Sequence, residues 1–166
     1  LVRHYRHAYK LHASNGILFN HESPRRGSNF VTNKVVKTAV QISLGMKDKL
    51  FLGNMDSYRD WGHSKDYTRA MIDIINHDTA EDFVVATGET HSVRQLCEVV
   101  FGCLNMDYKD YVEQDPRFMR PEELKYLSAK VDERLRPEHK NIDDYFLNEM
   151  IPTVDVRRHY QENILY

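Results

Sequence analysis

Three short apolar runs constrain this chain most: Ile17-Leu18-Phe19, Leu50-Phe51-Leu52 and Phe83-Val84-Val85-Ala86. Each is continuous rather than alternating, the pattern of a strand buried on both faces of a sheet. Between the runs, apolar residues recur at helical spacing. Val35, Val36, Ala39, Val40 and Leu44 form one stripe, and Tyr67, Ala70, Met71, Ile74 and Ile75 a second. Leu96, Val99, Val100 and Leu104 form a third. Strands alternating with amphipathic helices predict an α/β fold with parallel pairing.

Punctuation sharpens the boundaries. Thr32 is placed to cap a helix over 32–44 that Gly45 stops, and Ser92 to cap the helix through Leu104. Residues 64–76 read as a helix, and 82–87 as a strand closed by Gly88. Residues 1–12 read as the tail of a helix ending near Ser14-Asn15-Gly16, and 20–29 as a loop holding Pro24 and Gly27. Residues 108–113 alternate like a strand, Pro116 and Pro121 bracket a polar loop, and 122–134 and 143–150 have helical patterns.

The 166 residues suffice for one domain with a core. A net charge of −2 provides no bulk field toward nucleic acid or membrane, and no apolar stretch is long enough to span a bilayer. The first residues have no apolar signal core, so a cytoplasmic location is expected. Cys97 and Cys103, six apart on one helix, read as reduced thiols rather than a redox pair. The chain opens without Met inside a helical pattern and has no Gly-rich strand-to-helix turn to cradle a phosphate. Both features suggest the later part of a larger α/β enzyme.

Several clusters have the parts for ligand binding. Asn20-His21-Glu22-Ser23-Pro24-Arg25-Arg26-Gly27 follows a strand, where open α/β sheets bind ligands, and its guanidiniums match phosphate oxygens. The alternative is a solvated polar loop. Arg59-Asp60-Trp61-Gly62-His63 offers either an anion clamp beside a pocket wall or, favoured on these residues alone, a surface ion pair beside a core Trp. Asp115-Pro116-Arg117-Phe118-Met119-Arg120-Pro121 could grip a nucleotide or simply connect elements. Tyr126 and Lys130 share a helical face in a Tyr-x-x-x-Lys pattern, but no cofactor loop accompanies them and the match reads as incidental. His4, His7 and His12 do not converge as a metal site requires, so no metal is expected.

Taken in order, the string from Gly16 to Gly27 with Asn29-Phe30-Val31-Thr32 and Lys34 resembles the GDP-mannose 4,6-dehydratase family. So do Leu52-Gly53-Asn54-Met55-Asp56-Ser57 with Arg59 to His63 and Lys65-Asp66-Tyr67, and so does Phe83 to Gly88. Ser92-Val93-Arg94, Asp115-Pro116-Arg117 and Arg120-Pro121 continue the resemblance, which covers about residues 8–125. Where that family usually carries a Gly-Trp-x-Pro string, this chain has Arg134-Leu135-Arg136-Pro137.

The resemblance implies the C-terminal portion of a Rossmann-type extended short-chain dehydrogenase: the last parallel strands plus a smaller substrate-binding domain. Residues 1–30 would end the NADP-binding domain, and 31–166 would form the GDP-sugar region with interleaved Rossmann elements. It also implies the conversion of GDP-mannose to GDP-4-keto-6-deoxy-mannose through hydride removal at C4, loss of water across C5 and C6, and hydride return at C6. His21 and Arg26 would contact NADP. Asn20 would face the sugar diphosphate, Lys34, Arg59 and Arg117 would bind GDP, and Glu123 would reach the ribose. No catalytic residue of the family falls within the chain, so these residues alone are expected to be inactive. A homo-oligomer is expected, without nucleic-acid partners. The rival reading is a non-catalytic nucleotide-sugar-binding module or a degenerate partner subunit.

Overall fold

A computed structural model of the chain describes residues 1–122, 124–127, 129 and 134. Helix α1 (Val2–Tyr9) ends at Lys10, whose φ of 53° is left-handed. This is earlier than the turn expected near residues 14–16, because Asn15 and Gly16 already belong to strand β1 (Asn15–Leu18). β1 pairs in parallel with β6 (Asp82–Val85), register Gly16 to Phe83 and Leu18 to Val85. The strand is not buried on both faces: Ile17 is 52% exposed. Leu18 packs against the cluster on helix α3 (Ser64–Asn76), and alternation turns Ile17 to the uncovered side.

Phe19 then hands the strand to a new partner. Its N–H donates to the Val85 carbonyl at 2.9 Å. The next residues form β2 (Asn20–Glu22), parallel to β5 (Trp61–His63), so the expected loop begins as a strand. Helix α2 (Val31–Ser43) starts one residue before Thr32. Thr32 is not its cap. Phe30 occupies that position without a side-chain hydrogen bond, and Thr32 is fully buried with its hydroxyl donated to Glu22. Strand β3 (Leu50–Leu52) pairs in parallel with β8 (Val112–Gln114). The alternating 108–113 segment divides, because a short 3-10 turn occupies Tyr108–Asp110 before β8 begins.

Strand β4 (Tyr58–Arg59) lies between β7 (His91–Ser92), antiparallel, and β9 (Tyr126–Leu127), parallel. Tyr126 therefore sits in a strand and stacks on Tyr58, with centroids 4.6 Å apart, rather than on the expected helix 122–134. Lys130 and the expected helix 143–150 lie outside the described residues. Ser92 caps helix α4 (Val93–Cys103) as the sequence indicates, and with Gln95 it forms a full capping box.

Two apolar clusters hold these elements. One joins α3 to β1 and β6 through Tyr67, Ala70, Ile74, Phe83, Val85 and Leu18. The other packs α2 on α4 around β3, with Val35, Val36, Ala39, Leu50, Leu96, Val100 and Phe101 at its centre. Neither cysteine is in a disulfide, and burial pushes the Cys97 thiol up to about 12, so Cys97 packs as an apolar group. No helix among the described residues is long and apolar enough to cross a membrane.

Candidate functional site

A cavity of about 620 Å3 opens where β2, the start of α2, the end of β3 and strands β4 and β5 converge. Strand alternation decides which residues of β2 reach it. Asn20 and Glu22 line the cavity, while His21 faces the other way. The His21 ring stacks on Tyr67, with centroids 4.8 Å apart, and its Nδ1 lies 2.9 Å from the Phe19 carbonyl. Trp61, in register with Asn20, supplies apolar wall, as do Phe30 and Phe118.

Four cationic side chains among the described residues line this space: Arg26, Lys34, Arg59 and Arg120. Arg26 follows a turn fixed by its own N–H to the Ser23 carbonyl at 2.9 Å. Its guanidinium lies over the Phe30 ring, 3.5 Å from the centroid. Lys34, on the first turn of α2, donates to the Phe51 carbonyl at 2.6 Å and lies 4.1 Å from the Phe118 ring centroid. Burial, and then the charge of Lys47, lowers its pKa from the ordinary lysine value. Arg59 donates to the carbonyls of Tyr58 at 2.7 Å and Leu124 at 3.0 Å. Against these, among the described residues, stand the carboxylates of Glu22 and Glu122.

The first turn of α2 adds to this field. Phe30 and Val31 line the cavity, and the helix begins without a side-chain cap. Uncapped N–H groups at the positive end of a helix favour an anion. The whole arrangement suits a phosphorylated ligand with an aromatic or apolar part.

The structure thus brings Asn20, Arg26, Lys34 and Arg59 together and leaves His21 and Arg117 outside the wall. Arg117 is drawn back onto Asp115, with Nη2 to Oδ2 at 2.6 Å, and its side chain is 82% exposed. Its guanidinium also holds the Asp115 carboxyl below the usual carboxylate range. Arg120, three residues on in the same Pro-bracketed segment, lines the cavity instead. Glu123 lies outside the described residues. Asp60 is not in a surface ion pair: it is 1% exposed and accepts from Thr87 N at 2.9 Å, Thr87 Oγ1 at 2.8 Å and Gly88 N at 2.8 Å. That carboxylate ties the start of β5 to the end of β6.

Sequence reasoning missed Glu22 as a separate residue of interest, although it lies inside the string that drew attention to Arg26. It also missed Gly53. A Cβ there would run into the backbone carbonyl of Phe118, so only glycine lets the Phe118–Arg120 segment close onto β3. Among the described residues no group of three or more His, Cys, Asp or Glu could hold a metal ion.

A profile of the family described as GDP-mannose 4,6 dehydratase matches residues 1–143, extending beyond 8–125 at both ends. GDP-mannose 4,6 dehydratase 2 of Arabidopsis thaliana is 51% identical over 125 residues, covering 75% of this chain and 34% of that protein. The Homo sapiens GDP-mannose 4,6 dehydratase is 40% identical over 171 residues, covering 91% of this chain and 46% of that protein. Among solved structures, RMD from Pseudomonas aeruginosa complexed with NADPH superposes with a TM-score of 0.80 at 20% identity, over 94% of this chain and 52% of its own. A dTDP-glucose 4,6-dehydratase from Bacillus anthracis in complex with NAD gives 0.73 at 18% identity, over 98% of this chain and 49% of its own. At such identities these two define a shared Rossmann-type fold.

Proposed function

The chain belongs to the GDP-mannose 4,6-dehydratase family, and from that premise we propose that its cavity grips the nucleotide diphosphate of GDP-mannose. The parent activity is the conversion of GDP-mannose to GDP-4-keto-6-deoxy-mannose. The observation that carries this reading is the set of four cationic side chains around one cavity, beside an uncapped helix start and aromatic walls. Charge-assisted bonds to a diphosphate hold the nucleotide, and so hold the sugar in one place for chemistry.

Within this proposal Lys34 and Arg59 bind the GDP moiety and Asn20 faces the sugar diphosphate. Arg120 joins them from the wall, and Arg117 acts from the rim if its contact with Asp115 opens. Glu123 is assigned to the ribose. The cofactor is NADP, contacted by His21 and Arg26. A phosphate-bearing group fits Arg26, whose side chain lines the cavity. When bound, the cofactor supplies hydride acceptance and return; the residues of this chain bind and orient.

Residues 1–30 then close the NADP-binding domain, and 31–166 form the GDP-sugar region with α3 and β6 interleaved back into the sheet. These 166 residues alone bind ligand without turning it over, because binding without an acid–base pair supplies no chemistry. The working form is a cytoplasmic homo-oligomer. The test is calorimetric titration of the full chain with GDP. Arg59→Ala is expected to weaken binding by roughly tenfold, and unchanged affinity would refute the diphosphate clamp. Turnover of GDP-mannose with NADP by these residues alone would refute the division of labour.

A further inference from the structure

A carboxylate in the wall of an anion cavity repels the ligand that the cations attract. Glu122 is exposed, but Glu22 is 2% exposed and its burial carries a desolvation cost. Its contacts show what that cost supports. Thr32 Oγ1 donates to Glu22 Oε2 at 2.7 Å, and Arg26 Nε lies 3.3 Å from the same oxygen. The Glu22 carbonyl accepts from Ser64 Oγ at 2.9 Å, so α2 and α3 both fix the residue.

Arg26 is therefore held on three sides. Its backbone carbonyl accepts from Asn33 Nδ2, the Phe30 ring lies against the guanidinium plane, and Glu22 takes the Nε edge. The Nη1–Nη2 edge has no protein partner among the described residues. We propose that Glu22 is a positioning residue: its carboxylate, set by Thr32, holds the Arg26 guanidinium so that its free edge meets a phosphate oxygen of the bound nucleotide. The inference rests on the reading above that Arg26 contacts a ligand phosphate. A pre-set planar fork loses less rotamer freedom on binding than a free one, which favours affinity.

The proposal differs in sign from simple electrostatics. Removing a negative charge from an anion site should tighten binding, whereas removing the group that aims Arg26 should weaken it. The experiment is a double-mutant cycle in the full chain, read by calorimetric titration with NADP and with GDP, and with circular dichroism as the check on folding. Glu22→Gln is expected to weaken the probe that Arg26 touches by about tenfold, and Thr32→Val to weaken it less. Arg26→Ala weakens it as well, and Glu22→Gln placed on Arg26→Ala adds no further loss, because the carboxylate acts only through the guanidinium.

Affinity unchanged or improved by both Glu22→Gln and Thr32→Val, with Arg26→Ala still weakening it, would overturn the positioning role and leave the cavity reading intact. Equal losses from Glu22→Gln in both backgrounds would overturn it too, by showing that Glu22 meets the ligand itself. No effect of Arg26→Ala would remove the premise about Arg26. No binding of either probe by the unsubstituted chain would sink the cavity reading and this inference together. If Glu22→Gln does not fold, Thr32→Val decides the matter, since it removes only the hydroxyl that sets the carboxylate.

Discussion

Two buried polar side chains show how single residues trade stability against function. Burial raises the Glu22 pKa above its ordinary 4.5, more than the Thr32 hydrogen bond and the Arg26 charge lower it. A carboxyl that binds its proton more tightly when folded stabilises the fold fully below the unfolded value, and that contribution is lost as pH rises through the folded one. Urea unfolding from about pH 4 to 7 should thus show the native chain falling behind Glu22→Gln as pH increases. Parallel curves would remove Glu22 as the source. Tyr67 is the second case. Its hydroxyl is buried with no hydrogen-bond partner among the described residues, and burial with the nearby Asp60 and Asp66 charges raises its pKa. An unsatisfied buried hydroxyl costs roughly 1–3 kcal/mol. Tyr67→Phe, which keeps the ring beneath His21, should raise Tm by about 2–4 °C, and a lower Tm would mean the hydroxyl has a partner.

At the scale of elements, caps and alternation place the site. Ser92 Oγ accepts from Gln95 N at 3.1 Å while Gln95 Oε1 accepts from Ser92 N at 2.8 Å. Ser92→Ala should cost about 1 kcal/mol in a denaturant melt, because α4 loses this reciprocal pair while its apolar face stays packed. α2 has no such cap, and its first turn lines the cavity. The stronger cap therefore sits on the helix that supports the fold, and the open helix end on the one that faces ligand. β2 shows what alternation decides. Asn20 and Glu22 reach the cavity wall, and His21, one residue away, stacks on Tyr67 beneath the strand.

For the whole molecule, the cavity depends on segments distant in sequence closing onto one another. Gln114 Nε2 donates to the Gly53 carbonyl at 3.1 Å, and the Phe118 carbonyl approaches Gly53 so closely that a Cβ would strike it. Gly53→Ala should push the Phe118–Arg120 segment outward, weakening GDP binding by roughly tenfold while far-UV circular dichroism stays unchanged. Unaltered affinity would show that Arg120 and Phe118 are not needed in the wall. The β2–β5 pair that lines this cavity touches both apolar clusters: Trp61 belongs to the one between α2 and α4, and His21 stacks on Tyr67 of the one under β1 and β6.

The sequence by itself determined the elements whose signals are local. α3 spans residues 64–76 as the periodicity predicts, Ser92 caps α4, and the strings around residues 16–34 and 52–67 carry the family. Helical periodicity and capping act within a few residues, so they can be read along the chain. The tertiary structure alone decided which residues of those strings face one cavity. It turned Thr32 from a cap into the partner of a buried Glu22, made strands of Asn20–Glu22 and Tyr126–Leu127, and put Arg120 rather than Arg117 in the wall. Each of these depends on a neighbour ten or more residues away or on the phase of a strand, and adjacent residues record neither.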